Sequence, residues 1–309
     1  REQDCPVLIA CRTTIGFGAG EKAGTADVHG SPLGPEGIAA ARKNLNWPHA
    51  PFDIAADILT AWRTIGTQGH AAFTAWEQAL AALPDDQRQA YLDSLQGIAP
   101  APLAKALIPV REKFMAERPV IATRKASQMV LEALVPALPA LIGGSADLGG
   151  SNLTKVKTSR AVTAQDFSGN YIHYGVREHG MAAMMNGIAL HGGFVPYGGT
   201  FLCFADYARP AIRLAALMGT PSICVMTHDS IGLGEDGPTH QPIEHLASLR
   251  AMPNVQVMRP AGAIETAACW EMALMNRTGP SILCLSRQNM ADAGSYEGAR
   301  RGGDILQDC

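Results

Sequence analysis

From Val120 onward the chain alternates short apolar runs with stretches of helical periodicity, and no other feature constrains the fold as strongly. The apolar runs are Leu141-Ile142, Gly193 to Pro196, Ser222 to Thr227, Val255 to Met258 and Ser281 to Leu285. Between them, Lys125 to Leu138, Glu178 to Leu190, Phe201 to Met218, a segment near 243–251 and residues 262–275 carry helical spacing, with a kink expected at Pro210. Strands separated by helix-length connections pair in parallel. Their runs of Val, Ile, Leu and Cys, apolar on both faces, require helices above and below. The expected fold class is therefore α/β, a parallel sheet with helices on both faces. In such a sheet the polar segments at the strand ends meet in one crevice.

The 309 residues allow about two domains. Ahead of Val120 the pattern differs. Val7 to Cys11 reads as a strand, followed by a long glycine-rich loop to about residue 35. Helices are expected from Pro35-Glu36, from a cap at Asp53 through Arg63, from Pro84-Asp85-Asp86, and over Leu103 to Phe114. The expected organisation is a partial α/β domain over 1–85, a connection over 86–117, the sheet domain over 118–290, and the start of a further connection over 291–309. A net charge of −3 gives no reason to expect a nucleic-acid or membrane partner. No run of about 18 apolar residues is present. Seven scattered cysteines, several in apolar runs, fit a reducing cytoplasm.

The polar strand-end segments carry the chemistry. Thr227 to Pro242 follows an apolar run and holds His228, Asp229, Asp236 and His240 among glycines and prolines. Gly232-x-Gly234-x-x-Gly237 has the spacing of a dinucleotide loop. Pro238 and Pro242 oppose the helix that such a loop must open. No Cys or His partner lies at zinc spacing, so no metal ligand is assigned. A site for a polyol or a phosphate suits these side chains better, because imidazoles and carboxylates exchange hydrogen bonds with hydroxyls and histidine can carry charge near neutral pH.

Taken in chain order, Ile15-Gly-Phe-Gly18, His29-Gly-Ser-Pro-Leu-Gly34, Arg124-Lys-Ala-Ser-Gln128, Gly143-Gly-Ser-Ala-Asp-Leu148, Asn170 to Met181, Thr227 to Pro242 and Leu285-Ser-Arg-Gln-Asn289 resemble transketolase, a thiamine-diphosphate enzyme family, over essentially the whole chain. The resemblance implies transfer of a two-carbon ketol unit from a ketose phosphate to an aldose phosphate through a thiamine-diphosphate carbanion, in a cytoplasmic homodimer with the active site between subunits. It implies that Glu178 hydrogen-bonds the cofactor's aminopyrimidine, that Phe204 stacks on that ring with Phe201 and Tyr207 beside it, and that Asp147 lies near the cofactor. Arg124, Ser151, His228 and Arg287 correspond to sugar-phosphate contacts. His29 and His240 correspond to proton-transfer and donor-hydroxyl histidines, His29 also near the cofactor, and Asp236 to the aspartate that reads a donor hydroxyl. The family's Gly-Asp-Gly…Asn motif, which holds the diphosphate through Mg2+ or Ca2+, has no counterpart here, so the chain is expected to be an internal fragment that is inactive alone. A dihydroxyacetone synthase, or the non-catalytic half of a split enzyme, are the alternatives.

Overall fold

The computed structural model describes residues 7–97 and 100–306. The chain divides into two compact units, Arg1–Ala82 and Leu83–Cys309. The first contains two single 3-10 turns, Gly20–Lys22 and Ala26–Val28, and the helices α1 (Gly34–Asn44), α2 (Ala56–Thr67) and α3 (His70–Ala81). As expected, Pro35 sits in the first turn of α1. Two expectations do not hold in this unit. Val7 to Cys11 is not a strand, and Val7, Leu8 and Ile9 are exposed. Among the described residues of this unit there is no second strand to take its hydrogen bonds, and an unpaired strand has no ladder to hold it extended. Asp53 does not cap α2: Ala55 occupies that position, and Asp53 faces the His49 ring at 3.8 Å instead.

The second unit opens with α4 (Asp85–Leu95) and α5 (Pro100–Glu117), so the stretch expected as a connection is mainly helical. The second of these is part of the core, because Leu103, Leu107, Val110 and Phe114 are buried. After it come β1 (Ile121–Ala122), α6 (Thr123–Ala137), β2 (Leu141–Ser145), α7 (Gly149–Asn152), β3 (Tyr171–His173), α8 (Glu178–His191), β4 (Val195–Phe201) and α9 (Ala205–Met218). The chain continues through β5 (Ile223–Thr227), α10 (His245–Arg250), β6 (Gln256–Met258), α11 (Ala263–Met275), β7 (Ser281–Leu285), β8 (Asn289–Met290) and α12 (Tyr296–Arg300).

Six of the strands form one sheet in the order β3-β2-β4-β5-β7-β6, every pair parallel. Successive side chains of β5 and β7 alternate between two cores, as the two-residue repeat of a strand demands. Ile223, Val225, Leu283 and Leu285 join a layer with α5, α6 and α11. Cys224, Met226, Ile282 and Cys284 join the opposite layer with α8 and α9. Trp270 of α11, fully buried, closes the first layer edge-on against Tyr197, and its indole N–H donates to Ser127 Oγ at 2.9 Å. Both faces are thus covered, as the apolar runs require.

Two strands are longer than their apolar residues suggest. β2 runs through Gly143 and Gly144, where the sequence suggests turn residues. A Cβ on Gly143 would meet the Tyr197 ring at 2.1 Å, and one on Gly144 the Tyr174 ring at 2.2 Å. These glycines are therefore strand positions over which aromatic rings pass, not loop residues. β4 tolerates Pro196 at its second position and then extends to Phe201. Phe201, expected to open a helix, instead ends β4 opposite Thr227, and a 3-10 turn over Leu202–Phe204 leads into α9.

The antiparallel pair β1–β8 joins two segments that lie far apart in sequence. Ile121 lies opposite Met290 and Ala122 opposite Asn289. Next to it, Thr123 N donates to Ser286 Oγ at 3.0 Å and Ser286 N donates to Thr123 Oγ1 at 2.7 Å. This reciprocal clamp places the segments carrying Arg124 and Arg287 side by side.

Candidate active site

At the carboxyl ends of β2, β4, β5 and β7, a pocket of about 420 Å3 is lined by Arg124, Ser151, Phe201, His228, Asp236, His240 and Arg287, with Gly150. Seven of the residues expected at the site meet here, from five separate segments of sequence. The order of the sheet explains the place. β3 lies on one side of β2 and β4 on the other, so the connections diverge and leave a crevice at the strand ends.

Two arginines supply positive charge. Arg124 is the second residue of α6, an unfavourable helix position for a cation. Its Nη1 donates to the Ser151 carbonyl at 2.7 Å. Burial, and then the Arg287 guanidinium, push its pKa below the ordinary arginine range, with Asp236 opposing. Arg287 lies just past β7, where Nη1 donates to the Leu233 carbonyl at 3.0 Å and Nη2 pairs with Glu235. Two like charges close enough to repel, with donors left over, form a receptor for a dianion.

His228 is held differently. It is buried and adopts the left-handed conformation (φ 58°), where the chain turns sharply off β5. A relay runs to it through the floor of the site. Ser145 Oγ donates to Asn152 Oδ1 at 3.0 Å, and Asn152 Nδ2 donates to Thr227 Oγ1 at 2.6 Å. Thr227 Oγ1 then lies 2.9 Å from His228 Nδ1. With Thr227 donating onward, Nδ1 accepts and the proton sits on Nε2. Burial, then Arg124 with help from Arg287, lowers the imidazole to about 4, while Asp236 pulls the other way. The expectation of charge near neutral pH therefore does not hold for this histidine: it is a neutral N–H donor.

This has a measurable consequence. Folded His228 takes its proton near pH 4, but the unfolded residue takes it near its ordinary value of about 6.5. Between these values the unfolded chain binds more protons, so stability falls as the pH drops through that window. In an NMR titration the ring protons of His228 are expected to move with a midpoint near 4. His228→Gln is expected to lose less melting temperature than wild type between pH 6.5 and 4.5, by this linkage. A midpoint at an ordinary histidine value would contradict the assignment.

An aromatic ladder borders the pocket. The rings of Phe201 and Phe204 lie 5.6 Å apart, and those of Phe204 and Tyr207 5.5 Å apart, each pair within 10° of parallel. The His228 ring stacks on Phe201 at 3.7 Å. The His240 ring stands edge-on to Phe201 and Phe204, 5.8 Å and 5.4 Å away, with Nδ1 2.8 Å from Thr239 Oγ1. Phe201 is buried, Phe204 half-buried, and Tyr207 is 60% exposed. Glu178 is the first residue of α8 and is buried, a helix position that favours a carboxylate. Its charge reaches the Cys203 thiol, which burial, first of all, and then the Asp206 and Glu178 carboxylates push up to about 11. Glu178 thus lies close to the turn that carries Phe204.

Two further expected residues are not among those lining this pocket. Asp147, also left-handed (φ 60°), faces a neighbouring pocket with Gln128, Ser145, Lys155 and His173, not the one holding the arginines. His29 belongs to the first unit, where it follows the 3-10 turn Ala26–Val28 and is exposed. Asp229, in the same loop as His228, pairs with Arg259 at 2.7 Å and anchors the loop without lining the pocket. Glu235 is not among the residues expected from sequence. A carboxylate in a glycine-rich loop carries no signal until its partner Arg287 is seen. Among the described residues one trio, Asp206, Glu244 and His245, could approach a metal ion. His245 Nε2 faces Asp206 at 3.1 Å and its Nδ1 faces Glu244 at 4.0 Å, so the carboxylates address opposite nitrogens. With Arg209 on Asp206 at 3.1 Å, the trio is an ion-pair chain.

Comparison with known proteins identifies the domains of the chain. Residues 120–292 match the transketolase pyrimidine binding domain, and residues 1–96 match the transketolase thiamine diphosphate binding domain. A transketolase of Cereibacter sphaeroides is 56% identical over 94% of this chain, and transketolase 1 of Vibrio cholerae is 50% identical over its full extent. These alignments cover 44% and 47% of those proteins, so the chain spans somewhat under half the length of the curated relatives it matches. The transketolase structure from Leishmania mexicana superposes with a TM-score of 0.84 at 43% identity, covering 96% of this chain and 44% of that one. A Pichia stipitis transketolase solved with sedoheptulose 7-phosphate gives 0.84 at 41% identity, covering 96% and 45%. With a domain match spanning more than half of its residues, the chain belongs to the transketolase family.

Proposed function

We propose that this chain forms the pyrimidine-binding and sugar-phosphate-binding side of a transketolase active site, which transfers a two-carbon ketol unit from a ketose phosphate to an aldose phosphate. The observation that carries this reading is the meeting of Arg124, Arg287, His228, Asp236 and His240 in one pocket beside a stacked aromatic ladder.

The residues fit a thiamine cofactor. A buried carboxyl at Glu178 suits a ring nitrogen that must exchange a proton, and the exposed end of the Phe204–Tyr207 stack offers a flat face to an aromatic ring. When bound, thiamine diphosphate supplies a carbon nucleophile and an electron sink for the bond between C2 and C3 of the ketose. Glu178 would hold the pyrimidine and keep a proton at its ring nitrogen, with Phe201, Phe204 and Tyr207 excluding water. By the family resemblance, Asp147 and His29 would also lie near the cofactor. Arg124, Arg287 and Ser151 bind the sugar phosphate, with His228 giving its Nε2 proton to a phosphate or hydroxyl oxygen. Asp236 accepts from a donor hydroxyl, and His240 and His29 carry protons to and from the sugar oxygens.

By the family resemblance the diphosphate would be held through Mg2+ or Ca2+, and the working enzyme is a cytoplasmic homodimer whose sites lie between subunits, serving the pentose phosphate pathway. Two measurements test the reading. Titrating the 309-residue chain with thiamine diphosphate and Mg2+ is expected to give binding weaker than micromolar; micromolar binding would show that the chain holds the cofactor unaided. An assembled enzyme containing this chain is expected to use ribose 5-phosphate as acceptor in preference to formaldehyde. The reverse preference would favour a dihydroxyacetone synthase.

A further inference from the structure

Arg287 is already engaged by an anion from its own chain. Its two terminal nitrogens are spent on a single turn: Nη1 on the Leu233 carbonyl at 3.0 Å, and Nη2 on the Glu235 carboxylate. Leu233 is fully buried and anchors the start of the turn, whereas the Glu235 side chain is 69% exposed. On either side of the acidic pair stand Gly234 (φ 93°) and Gly237 (φ 81°), in left-handed backbone conformations that favour glycine, and the space beside each, where a side chain would begin, is open. The neighbouring Arg124 makes no carboxylate ion pair among the described residues; its guanidinium donates to a carbonyl. The pocket thus holds two guanidiniums, one without an acidic ion-pair partner and one covered by a carboxylate on a short glycine-flanked segment.

We propose that Glu235 is an internal latch on Arg287, occupying the place of a phosphate group, and that a phosphorylated sugar must displace it to bind. The proposal rests on the reading of Arg124 and Arg287 as the phosphate site. It adds a determinant of selectivity. A dianion makes bidentate contacts to both guanidiniums and replaces the single carboxylate. An unphosphorylated sugar offers nothing that competes for Arg287, so the latch stays closed and the sugar gains no contact there. Residue 235 therefore sets how strongly the site favours a phosphate without touching the reacting atoms.

An exposed ion pair is weak, and freeing the binding-competent form tightens apparent affinity only by the fraction that was closed. The test is calorimetric titration of the protein with inorganic phosphate, ribose 5-phosphate and ribose, at constant ionic strength. Glu235→Gln is expected to tighten both phosphate ligands by roughly threefold to tenfold and to leave ribose unchanged. Glu235→Asp separates a latch from simple repulsion. It keeps the charge and shortens the reach, so a latch predicts tightening with this variant too, whereas through-space repulsion predicts wild-type affinity. In an Arg287→Gln background, substitution of Glu235 is expected to have no effect. Tightening by Glu235→Gln but not by Glu235→Asp, or by neither, would overturn the latch. Phosphate affinity that is unaltered by Arg287→Gln alone, or absent in all variants, would instead overturn the phosphate reading on which the latch depends.

Discussion

Glu178→Gln in a cofactor-loaded enzyme containing this chain is expected to lower turnover by about 10^2 to 10^4, the range that a positioned proton-transfer group contributes. The substitution is nearly isosteric, so the fold should survive. The residue opens α8, and its neighbours in the layer below, Met181 and Met185, are buried apolar side chains that do not depend on its charge. Losing a carboxylate from a helix N-terminus costs at most about 2 kcal/mol at a buried position such as this. A structural role and a proton-transfer role therefore predict different outcomes. If Glu178 acts on the bound pyrimidine, kcat collapses while the melting temperature and KM for the sugar phosphates stay close to wild type. If it serves only as a favourable helix-start charge, the melting temperature falls slightly and kcat is retained. Turnover within tenfold of wild type would sink the assignment. A parallel readout is the Cys203 thiol, which Glu178 helps to keep protonated. Its reaction with a small alkylating agent at alkaline pH should quicken slightly in the variant, because a nearby negative charge has gone and the thiolate becomes easier to form.

How much of this can be read from sequence differs from element to element for physical reasons. β5 and β7 are legible because they are buried on both faces, so nearly every residue is apolar and no alternation hides them. β2 is legible only as far as Ile142. Its second half is mostly glycine, which has low strand propensity, and the reason for it lies in the Tyr174 and Tyr197 rings, one of them more than fifty residues away. The Val7 segment misleads for the opposite reason, since its residues suit a strand but among the described residues of its unit it has no partner. Motif resemblance singles out twelve residues, and seven of them line one pocket. What no motif conveys is their state. His228 is neutral because it is buried beside two arginines that come from segments far apart in sequence. Arg124 and Arg287 lie close because of a two-residue pairing, β1 with β8, too short to leave a periodic signal. Glu235 becomes visible only once Arg287 has been placed.

The second large effect is expected at the arginine pair. Arg124→Gln with Arg287→Gln should raise KM for phosphorylated sugars by more than about 100-fold, because each hydrogen bond to a charged group contributes about 1.5–3 kcal/mol and both forks are lost. Neither guanidinium is a structural keystone. The clamp that joins their segments is made by Thr123 and Ser286, whose hydrogen bonds do not involve the arginine side chains. Removing two mutually repelling cations, one of them at a helix N-terminus, offsets the loss of their hydrogen bonds to the Ser151 and Leu233 carbonyls and of the Glu235 pair, so the net change in stability should be small. The effect belongs to the part of the substrate that does not react, and so should appear in KM while kcat changes little, since uniform binding is what is removed. An unphosphorylated ketose should react with both enzymes at similar rates. The charges also hold His228 neutral, so the double variant should let its ring titrate closer to the ordinary histidine value, as an NMR titration would show. These results are linked: if the arginines bind the phosphate, the KM rise is confined to phosphorylated sugars and the His228 midpoint climbs in the same protein. An equal loss on phosphorylated and unphosphorylated sugars would mean that the pair shapes the pocket without recognising phosphate.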